Sequence, residues 1–258
     1  MSQQWGDHRQ RFAGALLVVM VTFPTLAQAE ELTVLCSNGL RAVLGEVAPE
    51  FERTSGHQLA ISYSVSAELK KRINAGERFD VAILTPVLID ELTATGALRA
   101  DAQKPVARSA MGISIRRGAQ KPDLRTIEAL KVTLLAAKSI AFAKEGAGGL
   151  FFMALIQRLG LSDQLVPKFR PVVTGQDVSR AVANDDAEIG VQPISEILNA
   201  AGVELAGRFP VAVQDHVVMM AAVGVKSPHA AEGRALIDFL LSRELDAVVR
   251  ARGMERIP

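Results

Sequence analysis

The sequence predicts an α/β protein with two lobes, built mainly from parallel sheets with helices on both faces and a ligand cleft between the lobes. Short apolar runs alternate with helix-like patterns from residue 32 to the end of the 258-residue chain. Residues 79–84 are nearly all apolar, as strands are when both faces of a sheet are covered. No linker rich in Pro, Gly or Ser separates two halves, so we expect strands to run from one lobe to the other.

In the first third of the chain, each predicted strand leads into a helix pattern. Between residues 40 and 54, apolar side chains recur with the three- and four-residue spacing of a helix. Pro86 stands where a helix begins, a position that suits proline because the first helical N–H has no partner in the helix. The predicted elements are strands 32–35, 59–63 and 79–84, and helices 40–54, 67–75 and 86 to about 95.

The same alternation continues to the C-terminus. The predicted strands are 111–115, 139–143, 171–174, 189–192, 202–205 and 217–225, and the predicted helices are 126–131, 147–159, 176–184, 229–241 and 243–251. The strands near 107–115 and 217–225 are the candidates for crossing between lobes. Lobe 1 then consists of residues 30–108 and 222–258, and lobe 2 of residues 109–221.

Residues 1–29 contain the three parts of a secretory signal peptide in the correct order. Basic residues within 8–11 precede an apolar run over 12–23, which is too short to span a bilayer as a helix. Residues 27–29 then give a small-x-small cleavage site. We therefore expect export, cleavage near Ala29 and a periplasmic location. An uncleaved anchor or a buried first helix is the alternative.

Composition excludes several classes of partner. The chain has 29 Lys and Arg against 28 Asp and Glu, so it lacks the basic excess expected of a protein that binds nucleic acid. Cys36 is the single cysteine and cannot form a disulfide within the chain, so we interpret it as a small buried residue at a strand end. No set of His and Cys has zinc spacing, and we expect no metal and no cofactor.

Five loops that follow predicted strands are candidates for a ligand site, because ligands of open α/β sheets lie beyond the carboxyl ends of the strands. These loops are small, hydroxylated or glycine-containing, and each begins a helix, whose free N–H groups favour an anion. Ordinary helix capping and turn formation are the alternative explanation. The predicted ligand-binding residues are Ser37, Asn38, Gly39, Ser64, Ser66, Ala67, Gly148, Gly149, Asp177, Val178, Gln192 and Pro193.

Five segments together resemble one known family: residues 32–56, 61–84, 146–160, 176–191 and 235–256. The chain is similar to the periplasmic molybdate-binding protein family of ABC transporters and, more broadly, to type II periplasmic binding proteins. The resemblance implies two lobes hinged by crossing strands, a small anion bound between them, and the membrane permease of an ABC transporter as partner. We also expect a monomer.

The resemblance implies site residues from which this sequence departs. Family members that bind molybdate or tungstate use backbone N–H groups, a serine in each of the first two loops and often a tyrosine. Those three side-chain positions fall on Gly39, Ala67 and Pro193, while the backbone positions fall on Gly148 and Val178. A lost hydrogen bond to a charged group costs roughly 1.5–3 kcal/mol, so an organic carboxylate is an alternative ligand to molybdate.

The sequence offers little support for catalysis. It has no G-x-S-x-G or S-x-x-K motif, and the histidines after residue 30 lie away from the predicted site loops. Glu145 and Asp177 are placed to meet across a cleft, although helix capping accounts for Asp177. We therefore expect a transport receptor and not an enzyme. An exported enzyme, a sensor domain and a scaffold are the alternatives.

Overall fold

The computed structural model describes Met1 and residues 30–257, so the predicted signal peptide lies outside the described residues. The strands are β1 Glu31–Ser37, β2 Gln58–Ser64, β3 Val81–Leu84, β4 Leu98–Arg116, β5 Ile140–Ala143, β6 Phe169–Val172, β7 Ile189–Pro193, β8 Val203–Arg208 and β9 His216–Gly224. The α-helices are α1 Arg41–Ser55, α2 Ser66–Asn74, α3 Pro86–Ala94, α4 Ile127–Ala136, α5 Ala147–Arg158, α6 Ser162–Leu165, α7 Gly175–Ala183, α8 Ile194–Ile197, α9 Ala230–Leu241 and α10 Asp246–Ala251.

These elements form two sheets joined through the long strand β4. In the first sheet the strand order is β2-β1-β3-β9-β4, with β1 parallel to β2 and β3. In the second, β5 is parallel to β6 and β7, and β4 is antiparallel to β7 and β8. The predicted two-lobed α/β fold is confirmed.

Strand β4 runs further than the sequence pattern indicated. The prediction covered only residues 111–115, whereas the strand begins at Leu98. Its first half is interrupted by charged residues and Pro105, which hide the apolar pattern in the sequence, and it pairs with β9 with shifts in register. From Met111 onward it pairs with β7 instead, so β4 crosses between the sheets as predicted.

Strand β9 does not cross. It pairs with β3 and with the first half of β4, both in the first sheet. The return crossing is made by residues 209–215, where the Phe209 N–H donates to the Met111 carbonyl and the Met111 N–H donates to the Asp215 carbonyl. The sequence pattern pointed to β9 because this strand is buried and therefore apolar. Residues 209–215 are irregular and have no apolar periodicity that would predict their role. The residue limits of the lobes stay a prediction.

Helices cover both faces of the first sheet because side chains alternate along its strands. Val34 packs in one core cluster with Leu44 and other apolar residues of α1. The next residue, Leu35, lies in a separate cluster with Leu69 of α2 and Ile89 of α3. Helices and apolar side chains therefore cover both faces of this sheet. A ligand can approach it at the ends of the strands. Among the described residues, none of the helices is both long and apolar enough to span a membrane.

Candidate functional site

A cavity at the carboxyl ends of β1, β5 and β7 brings together eight of the twelve predicted ligand-binding residues. Its volume is about 30 Å³. A single water needs roughly 10–15 Å³, so this space accommodates a group the size of one carboxylate or a small oxyanion. We call it the cleft cavity. The predicted residues that line it are Ser37, Asn38, Gly39, Ser66, Gly148, Gly149, Gln192 and Pro193.

The other four predicted residues lie outside the cavity lining. Ser64 pairs in register with Ser37 at the end of β2, and Ala67 is the second residue of α2. The Asp177 carboxylate completes a capping box with Thr174, which is the alternative explanation given above. The prediction that the Val178 N–H faces the ligand is wrong, because this group donates to the Thr174 carbonyl at 3.1 Å.

Helix α5 begins at the cavity with three small residues. The N–H groups of a first helical turn have no partner within the helix, so this end can donate to an anion. Glycine is required here by space: a Cβ at Gly148 would lie 2.9 Å from the Pro193 Cδ. A Cβ at Gly149 would lie only 1.9 Å from the Ala143 carbonyl oxygen. The absence of side chains lets the backbone of α5 reach the cavity.

Two buried polar atoms in the cavity wall lack a hydrogen-bond partner among the described residues: the Ser66 Oγ and the Gln192 Oε1. The Gln192 Nε2 donates to the Ser179 Oγ at 2.9 Å. Because a hydroxyl both donates and accepts, the Gln192 amide can turn either its oxygen or its nitrogen to the cavity. Buried polar atoms are normally paired with protein, ligand or water, so these two are available to bond a polar ligand in the cavity.

Glu196 of α8 also lines the cavity, and the sequence analysis missed it. The residue is partly exposed through the cavity, and its carboxyl lies over Gly175 at the start of α7, where a Cβ would be 1.6 Å from the Glu196 Oε2. Burial raises the pKa of Glu196 to about 7, and the positive charge of Arg41 opposes this shift. The available signal was an acidic residue directly after the predicted loop 192–195.

Arg41 is the second functional candidate that the sequence analysis missed. Its guanidinium carbon lies 4.3 Å from the centroid of the Tyr63 ring. Its Nη2 and Nε donate to the Asn38 Oδ1 at 3.0 and 3.3 Å. Stacking and two hydrogen bonds to a neutral oxygen fix the guanidinium without neutralising it. A preorganised cation of this kind is suited to receive a carboxylate.

A second and larger cavity also borders Glu196. Its volume is about 440 Å³, and Asn38 and Glu196 border both cavities. Its wall combines alanines with arginine and amide side chains from α1, α7 and the segment after β7. We call it the side cavity. Among its lining residues are Arg41, Gln176, Ser179, Arg180, Asn184 and Asn199.

Two contacts join the loops of the two sheets beside the cleft cavity. The Ser195 Oγ donates to the Gly39 carbonyl at 3.2 Å. Lys71 of α2 pairs with Glu145 at 3.9 Å. Glu145 therefore does not meet Asp177, which pairs with Arg180 at 3.0 Å. The Ser195 contact holds the neighbouring Glu196 close to the loop of Asn38 and Gly39.

Within residues 30–257, no group of three or more His, Cys, Asp or Glu side chains is arranged to hold a metal ion. Cys36 is fully buried, and burial raises the pKa of its thiol, which therefore stays protonated at neutral pH. Glu196 and Arg41 both line the side cavity, and they lie close enough for the charge of Arg41 to affect the pKa of Glu196.

The raised pKa of Glu196 predicts how the stability of the protein changes with pH. Between about pH 4.5 and 7 the folded protein retains a proton that the unfolded chain has released, so the free energy of unfolding falls as pH rises through this window. The loss reaches up to about 3 kcal/mol. Urea unfolding of wild type and Glu196→Gln should give similar stabilities near pH 4 and a more stable variant at pH 8. Parallel pH profiles would contradict the assignment.

The comparisons with known proteins agree with this geometry. Residues 32–255 match the family described as bacterial extracellular solute-binding protein. The chain belongs to this family. The Escherichia coli (strain K12) molybdate-binding protein ModA is 23% identical over 98% of both chains. The structure of the periplasmic molybdate-binding protein of Azotobacter vinelandii has a TM-score of 0.75 at 18% identity, covering 88% of this chain and 99% of that one.

One relative in this comparison is an enzyme. The aconitate isomerase of a Pseudomonas species is 28% identical over 250 residues, which cover 95% of each chain. The expectation that this solute-binding protein is not an enzyme is therefore wrong. The absence of hydrolase motifs and of zinc spacing did not exclude an enzyme of this kind. Isomerisation by proton transfer needs only a single well-placed acid or base, and such a residue has no sequence motif.

Proposed function

We propose that this chain is an exported isomerase of an unsaturated polycarboxylate of the aconitate class, working in the periplasm with the fold of a solute-binding protein. The observation that supports this most is Glu196, a carboxyl at the wall of the ligand cavity with a pKa of about 7. A general base is most effective when its pKa lies near the working pH. The relative named aconitate isomerase gives the substrate class.

The reaction requires a movable proton. Rotation about a carbon–carbon double bond is slow, but removing a proton from the adjacent methylene spreads the negative charge over both neighbouring carbons and their carboxylates. The Glu196 carboxylate accepts the proton from the methylene carbon, the acid proton exchanges with solvent, and the acid then donates a proton to the former alkene carbon. One C–H bond breaks, another forms, and the double bond shifts by one position with no oxidant or metal. The new double bond is free to form with either geometry.

The cavity provides for the accumulating negative charge. The first turn of α5 lines the cleft cavity, and because its N–H groups have no partner within the helix, we expect them to donate to a carboxylate bound there. The Ser66 hydroxyl and the Gln192 amide are available as further donors. These dipoles are fixed before the substrate arrives, which is the arrangement that stabilises a developing enolate-like anion.

The test is to incubate the purified protein separately with cis-aconitate and with trans-aconitate in heavy water, and to follow both by proton NMR. We expect the two samples to converge on the same ratio of isomers, with deuterium entering the methylene position. Conversion no faster than in a protein-free control would overturn the proposal.

An oxyanion receptor is the second candidate function, and the small cleft cavity of about 30 Å³ favours it. In this case the chain would deliver molybdate or tungstate to the membrane permease of an ABC transporter. An ionised Glu196 would repel a dianion, so binding should weaken as pH rises through about 7. Thermal shift with tungstate and molybdate at pH 6 and 8 tests this: a rise in Tm without aconitate conversion would favour the receptor.

A further inference from the structure

The two cavities differ in volume, and this difference limits which part of a ligand each can hold. The cleft cavity, about 30 Å³, is too small for a six-carbon tricarboxylate. The side cavity, about 440 Å³, has room for the rest of such a molecule. Glu196 and Asn38 border both spaces, so a molecule that occupies both must pass beside the Glu196 carboxyl.

The side cavity offers a fixed positive charge. Arg41 lies in its wall, held by the Asn38 Oδ1 and the Tyr63 ring. Arg180 also lines this cavity, but its Nη1 bonds the Asp177 carboxylate at 3.0 Å and its side chain is 68% exposed. Arg41 is therefore the better carboxylate receptor, since its hydrogen bonds within the described residues go to a neutral oxygen.

We propose that the side cavity is a second subsite, in which Arg41 pairs with a distal carboxylate of the substrate while another carboxylate occupies the cleft cavity. This inference rests on the proposed function for the identity of the substrate. The carbon chain between the two carboxylates then lies against Glu196, which places the exchanging methylene and alkene carbons within reach of one base. The subsite thus selects molecules with carboxylates at both ends over short monocarboxylates and small oxyanions.

The test compares Arg41→Gln with wild type, using cis-aconitate as substrate and tricarballylate, a saturated tricarboxylate that cannot isomerise, as a binding probe. We expect KM for cis-aconitate and Kd for tricarballylate to rise about 10- to 100-fold, the range for a lost charge-assisted hydrogen bond. Arg41→Lys should recover part of both. Arg158→Gln, which removes an exposed charge at the end of α5, is the matched control and should change neither.

The two proposals fail in different ways. If wild type converts aconitate but Arg41→Gln keeps KM and Kd within twofold of wild type, the subsite is overturned and the isomerase stands. If wild type does not convert aconitate but binds tricarballylate, and Arg41→Gln weakens that binding tenfold or more, the subsite stands and the isomerase fails. Thermal unfolding of each variant without ligand separates a binding defect from a folding defect.

Discussion

Replacing Glu196 with glutamine is expected to lower kcat for aconitate isomerisation by about 10²- to 10⁴-fold, the range for loss of a general acid or base. Glutamine has the same size as glutamate, so it fits over Gly175 without disturbing the start of α7. Its amide does not ionise near neutral pH, so it cannot accept a proton from carbon. The loss should therefore appear in kcat, measured by NMR or by the difference in ultraviolet absorbance of the two isomers.

Binding is the control for this variant. Tricarballylate should bind Glu196→Gln at pH 8 at least as tightly as wild type, because a negative charge beside the ligand has been removed. Glu244→Gln changes an exposed glutamate away from both cavities and should leave kcat unchanged. Wild-type kcat should also rise with pH through about 7 as Glu196 ionises, and a profile that is flat from pH 5 to 9 would exclude Glu196 as the base.

Gly149→Ala is expected to destabilise the protein by about 3 kcal/mol, at the upper end of the range for overpacking a core. The added Cβ would lie 1.9 Å from the Ala143 carbonyl oxygen, which belongs to the end of β5 and cannot rotate away as a side chain can. To relieve this clash, the start of α5 must shift away from its present position beside the cleft cavity. Denaturant unfolding should show the loss of stability, and ligand binding should weaken with it.

The matched control is Gly45→Ala in α1. A Cβ at this exposed position would meet nothing closer than the Tyr63 hydroxyl at 4.0 Å. Glycine in a helix interior is less favourable than alanine by roughly 0.8–1 kcal/mol, so this change should stabilise the protein slightly. Equal effects at the two positions would contradict the packing assigned to Gly149.

Most of the fold could be predicted from the sequence because local patterns reflect burial. The apolar run at 79–84 contains β3, and the spacing of apolar residues after 40 matches α1. Gly76 and Gly96 directly follow the predicted helices 67–75 and 86 to about 95, and their φ values of 90° and 77° are ones that glycine adopts without strain. The first half of β4 was not predicted, because its pairing with β9 is a long-range contact that leaves no apolar period in its own residues.

The predicted site was partly correct for a related reason. Loops at the carboxyl ends of strands meet in any fold of this class, so Ser37, Gly148 and Gln192 were expected to converge. Val178 was placed wrongly because a helical N–H is free only in the first turn, and the helix start is set by the capping box at Thr174.

By itself, the sequence determined the α/β class, the order of the strands and the longer helices, and most of the loops that meet at the cleft cavity, since each depends on the hydrophobicity and turn chemistry of nearby residues. It did not predict the short helices α6 and α8, and Glu196 lies in α8. Only the tertiary structure decided the chemistry of the site. Burial over Gly175 raises the pKa of Glu196, and the side cavity that Glu196 borders also includes Arg41, 155 positions earlier in the chain. A carboxyl becomes a base near neutral pH through the groups that surround it in space, and no local pattern records those groups.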